Sequence, residues 1–101
     1  MPTFHFTFRG MTLARYIVAD LEQYVSTGKP QGAFIHAVLC NDLKAACDRA
    51  DDNNMQILPA YVAYLYNKCP LACWGSPAAV DAWMAAGGLT GLQAAAPTEP
   101  A

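Results

Sequence analysis

Strict alternation opens the chain. In Thr3-Phe-His-Phe-Thr-Phe-Arg9 the rings of Phe4, Phe6 and Phe8 share one face, and Thr3, His5, Thr7 and Arg9 share the other. That period of two predicts a strand. Gly10 breaks it, and Thr12 reads as the N-cap of the next element. From Leu13 to about Thr27 the period becomes helical, with Leu13, Tyr16, Ile17, Leu21, Tyr24 and Val25 on one broad apolar face. Gly28 terminates this helix and Pro30 follows. Ala33 to Cys40 predicts a short apolar helix that buries Phe34, Ile35, Val38 and Leu39. Asn41 reads as the cap of a third helix over Asp42 to Asp51, with Leu43, Ala46, Cys47 and Ala50 inward.

Asp51-Asp-Asn-Asn54 has the composition of a turn. Pro59 fits the first turn of a fourth helix that ends near Lys68, with Val62, Leu65 and Tyr66 as its buried stripe and Tyr61 and Tyr64 on the flanks. Ser76-Pro77 opens a last helix with Val80, Trp83 and Met84 inward, and Gly87-Gly88 closes it.

The pattern predicts a mainly α protein, a compact bundle of about five short helices with a short N-terminal β-strand. Residues 1–10 form the strand or arm, 11–92 the helical domain, and 93–101 a disordered tail rich in Ala and Pro. No second segment alternates as cleanly as the first. A lone strand leaves its backbone groups unpaired. Antiparallel pairing with the same strand of a second copy, through Phe4, Phe6 and Phe8, would satisfy them and predicts a homo-oligomer.

Composition narrows the function. Hydrophobic residues make up 54% of the 101 residues and charged residues 14%, against about 25% charged in an average domain. Such a surface is covered by small residues, by another chain, or by both. The net charge is −2 and the six basic residues form no run, which argues against a nucleic-acid polymer as partner. No stretch approaches the roughly 18 apolar residues of a membrane span, and the start lacks the basic and apolar regions of a signal peptide. A cytoplasmic protein with reduced thiols is expected.

No catalytic constellation emerges. Cys40 and Cys47, then Cys69 and Cys73, lack the two tight pairs of a zinc site, so no metal and no cofactor are expected. His36 has no acid or nucleophile at a triad's spacing, and Asp42, Asp48, Asp51 and Asp52 read as capping or solvated carboxylates. The richest stretch is Tyr66-Asn67-Lys68 followed by Trp74-Gly75-Ser76. An aromatic can stack on a base, Lys68 can meet a phosphate, and the amides after Ser76 can hold an anion. Packing by Tyr66 and Trp74, with Ser76 as a plain cap, is the competing account. A ligand-binding set of Tyr66, Asn67, Lys68, Trp74, Gly75 and Ser76, with Arg15 as a second cation, is the expectation to test.

Gly32-x-Phe34-x-x-Ala37-Val38-Leu39-x-Asn41-Asp42-Leu43, then Ala50-Asp51 and Asn54, then Tyr66-Asn67, Pro70 and Trp74-Gly75-Ser76, resemble a family of small proteins encoded by phages and prophages. The resemblance covers roughly residues 16 to 84. It implies a phage context, in which small acidic helical proteins serve in counter-defence. By that analogy the chain is a non-enzymatic binding protein that sequesters a small, anionic, nucleotide-like immune signal, or else binds and blocks a host protein directly. A sequestering protein should show a pocket with Lys68 or Arg15 beside an aromatic ring. A blocking protein should show a flat apolar patch.

Overall fold

In the computed structural model, which describes residues 6–95, the first element is a hairpin. β1 (Phe6–Phe8) pairs antiparallel with β2 (Met11–Leu13), in the register Phe6 to Leu13, Thr7 to Thr12 and Phe8 to Met11. Arg9 and Gly10 form the two-residue turn, both at positive φ (51° and 80°). That backbone twist matches the twist of the strands it joins. This strand therefore finds a backbone partner five residues downstream in its own chain, and the need for a second copy to pair it is removed. Thr12 is a strand residue across from Thr7 and caps no helix. Phe4 lies outside the described residues.

Helices follow. α1 (Arg15–Thr27) starts after Ala14 and ends at Gly28, whose left-handed φ of 74° lets its N–H reach the Tyr24 carbonyl. α2 (Ala33–Leu39) ends through Asn41, also left-handed at φ 61°. The N–H of Asn41 bonds to Val38 O at 3.0 Å and that of Asp42 to Ala37 O at 3.0 Å, the paired bonds of a Schellman motif. Asn41 thus closes α2, correcting its expected role as a cap. Asp42 caps α3 (Leu43–Arg49) instead, its carboxylate accepting from the Ala45 N–H at 3.1 Å.

α4 (Asp52–Lys68) is longer than expected. Asp51 accepts from the Asn54 N–H at 2.7 Å and caps it, so the acidic segment is a helix start and no separate turn. Pro59 lies inside the helix. It removes one N–H, and the freed carbonyl belongs to Met55, an exposed residue with access to water. The phase of the helix also differs from expectation. Ala60, Tyr61, Tyr64 and Leu65 are buried, whereas Val62 and Tyr66 are exposed. A single 3₁₀ turn, Leu71–Cys73, leads to α5 (Pro77–Ala86). Ser76 caps α5 through the Ala79 N–H at 3.1 Å, and Gly87 ends it in the left-handed region. α6 (Gly88–Ala95) follows directly and extends through residues 93–95 of the segment expected to be a disordered tail.

The core joins these elements. Leu13, Ile17, Leu21 and Tyr24 meet Val38 and Leu39, then Tyr61 and Leu65, then Cys73, Val80 and Trp83. Burying a side chain of this size stabilises by about 1.5–3 kcal/mol. Leu43, read as inward, is 69% exposed. α6 packs against the end of α1 at backbone distance: a Cβ on Gly88 would lie 2.6 Å from the backbone nitrogens of Thr27 and Gly28. Among the described residues, no helix is long and apolar enough to cross a membrane.

Candidate functional site

The phase of α4 creates its most unusual surface. One face carries Tyr61, Tyr64 and Leu65 into the core, and the other presents Val62 (45% exposed) and Tyr66 (71% exposed) to solvent. Residues four apart lie one above the other on a helix, so these two continue one apolar strip. The hairpin extends it. Phe6 packs edge-on against the Tyr64 ring, centroids 5.3 Å apart, and this contact turns β1 so that Phe8 lies beside Pro59, Val62, Ala63, Tyr66 and Asn67. Together they line an open, almost wholly apolar depression of about 500 Å³. Val62 also borders a smaller hollow of about 50 Å³ with Val38, Leu43 and Leu58, so the apolar surface continues toward α3.

At the edge of the strip, the Arg9 guanidinium stands over the Phe8 ring, 5.2 Å from its centroid. The turn that closes the hairpin thus places a cation on the rim. Periodicity at Pro59–Lys68 groups Val62 and Tyr66 on one stripe, but apolar residues on every side of the segment make that stripe read equally well as interior.

The residues expected to bind a ligand are distributed over several elements. Tyr66 and Asn67 line the apolar depression, and the Asn67 amide donates back to the Ala63 carbonyl at 2.9 Å. Lys68 borders a different depression, of about 420 Å³, with Glu22, Val25, Ser26, Tyr64 and Cys69. Its ring neighbour Tyr64 is buried. Arg15 is exposed at the first position of α1. Trp74 is packed against the core, with its indole N–H buried and unbonded. Gly75 donates its N–H to the Leu39 carbonyl at 2.8 Å, which ties the 3₁₀ turn to the end of α2. Ser76 is occupied as a cap.

The thiols have structural surroundings. Burial first, then Asp81 and Asp42, pushes the Cys40 thiol up, away from the thiolate form that reacts. His36 Nε2 lies 3.5 Å from its sulfur. A hydrogen bond with Cys73, reinforced by burial, likewise raises Cys69. No group of three or more His, Cys, Asp or Glu placed to hold a metal ion occurs among the described residues. No protein-family model, no curated protein and no solved structure matches the chain.

Proposed function

We propose that this chain is a non-enzymatic binding protein that blocks another protein through the apolar strip of Phe8, Val62 and Tyr66. The observation that carries it is the exposure of Val62 and Tyr66, beside half-buried Phe8, on a helix whose opposite face already fills the core. Exposed apolar area of this kind is unfavourable in water and favours a partner. The rim selects the occupant. Arg9 over the Phe8 ring forms no ion pair among the described residues, so the complementary segment is apolar with a carboxylate at its edge. In the phage context that the sequence resemblance implies, the occupant belongs to a host defence protein in the host cytoplasm.

A photo-crosslinking amino acid at position 62, with another at the exposed Leu92 on α6 as control, tests this in host cells. A heterologous partner should be captured at position 62 alone, and lost when Arg9→Glu or Tyr66→Ala is added. Capture of the chain's own copies alone would replace this reading with self-association through α4.

Sequestration of an anionic nucleotide-like signal is the second reading, favoured by one observation, the position of Lys68 beside the Tyr64 ring. Glu22 borders the same depression and opposes an anion there. Calorimetric titration with nucleotides should show binding that Lys68→Ala abolishes if this reading holds.

A further inference from the structure

A further depression, lined by other residues than the apolar strip, carries more polar groups than the strip does. It lies where α1, α2 and the start of α4 meet and encloses about 290 Å³. Tyr16 and Asp20 are four apart on α1, so both point to one face. Tyr16 is 69% exposed, so its ring face is open to a ligand. Phe34 forms the facing wall, held edge-on against Tyr61 with centroids 5.1 Å apart. The Tyr61 hydroxyl donates to Asn54 Oδ1 at 2.9 Å, which fixes the amide at the floor and leaves that oxygen a second lone pair. At the mouth a Cβ on Gly32 would meet nothing within 4 Å, so the approach is open. None of the residues lining the depression is basic, and Asp20 gives it a negative charge.

We infer that this depression binds a guanidinium group, stacked on Tyr16 and Phe34 and paired with the Asp20 carboxylate. A planar cation meets the negative faces of aromatic rings, and its fork of N–H donors matches a carboxylate with two parallel bonds. A further N–H can reach the free lone pair of Asn54. An ammonium ion is compact and strongly hydrated, and it uses the flat wall less well. An anion finds a carboxylate where it needs a cation. The site is separate from the apolar strip, so it stands whether or not Val62 contacts a partner. It takes either an arginine side chain of a protein or a small free guanidine compound.

Amide NMR shifts in the full chain distinguish these sources and test the chemistry. The probes are agmatine, an acetylated and amidated Gly-Arg-Gly peptide, and the same peptide with citrulline, which keeps the shape and loses the charge. Agmatine or the arginine peptide should shift the amides of Tyr16, Gly32, Phe34 and Asn54 saturably. Tighter binding of the peptide assigns the site to a protein arginine, and equal or tighter binding of agmatine assigns it to a free guanidine compound. The citrulline peptide should bind at least tenfold more weakly. Asp20→Asn and Tyr16→Leu, both at exposed positions, should each weaken binding at least fivefold. No saturable shift with either guanidinium probe, equal affinity for citrulline, or undiminished binding to Asp20→Asn would overturn the proposal.

Discussion

The Tyr24 hydroxyl donates a 2.7 Å hydrogen bond to the backbone carbonyl of Cys73, 49 residues away. The carbonyl of the same tyrosine accepts from the Trp83 indole N–H at 3.1 Å. One α1 residue thus ties down both the 3₁₀ turn and α5, and all three residues are buried. Tyr24→Phe keeps the ring and leaves the Cys73 carbonyl unpaired in the core, which costs about 1–3 kcal/mol. Urea unfolding should show that loss in the midpoint with the slope unchanged.

Asn41 and Asp42 should separate cleanly by mutation. Asn41 occupies the left-handed region, so Asn41→Gly should be neutral or stabilising, while Asn41→Ala costs about 1 kcal/mol through backbone strain. Asp42→Ala removes the cap of α3 and costs about 1 kcal/mol. Thermal melts of the three variants check the assignment; equal losses for Asn41→Gly and Asn41→Ala would contradict it.

The two faces of α4 give the sharpest contrast. Val62→Asp, at a half-exposed position bordered by apolar neighbours, should cost no more than about 1 kcal/mol. Tyr64→Ala, which removes a buried ring and the contact with Phe6, should cost about 3–5 kcal/mol. Denaturation curves of this pair measure the phase of the helix directly.

That phase is where the sequence misleads. α1 and α5 are legible because their ends carry strong local signals: Gly28 must be left-handed, and Ser76-Pro77 is a cap followed by a residue that needs no N–H. α4 hides its start, since Pro59 is better suited to a first turn than to the eighth position it occupies. The expected buried stripe falls on Val62 and Tyr66, whereas the fold buries Tyr61 and Tyr64. Apolar residues lie all round this segment, so periodicity alone cannot choose a side. The hairpin is hidden in the sequence for a related reason. β2 has only three residues, too few for alternation to stand out, and its Thr12 also suits a helix cap. The expected ligand residues other than Arg15 are near neighbours in sequence, and the fold spreads the set over α1, α4 and the turn before α5.

Alkali should unfold the protein through its tyrosines. Burial first, then Cys69 and Glu22, pushes the Tyr64 hydroxyl up from 10.0 to about 12, and burial raises Tyr24 and Tyr61 as well. The unfolded chain therefore loses these protons first. Their contribution to stability is complete below about pH 10 and falls as the pH climbs through 12. Tyr64 alone accounts for roughly 2–3 kcal/mol of that fall. Absorbance of tyrosinate and helical circular dichroism, followed together, should show these tyrosines ionising as the helices melt. Ionisation of every tyrosine near pH 10 with the helices intact would contradict the burial argument.

Gly88 should tolerate no side chain. Its φ is 67°, and an added Cβ would strike the backbone of Ser26, Thr27 and Gly28 at 2.6–2.7 Å, where nothing flexible can yield. Gly88→Ala should cost about 2–5 kcal/mol, combining left-handed strain with overpacking. Chemical denaturation reads that loss, and a Gly88→Ala variant as stable as the parent would place α6 elsewhere.

The same contact sets a timetable for synthesis. α1 is made early, but the surface that covers its end arrives only with α6, sixty residues after Gly28. A ribosome adding about 5–20 residues per second needs roughly 3–12 s to cover that distance. During that interval the apolar side of α1 has no α6 to lie against, and the hairpin waits on α4 for its own cover. The nascent chain therefore spends seconds with the last turn of α1, from Ser26 to Gly28, open to chaperones before Gly88 can lie against it.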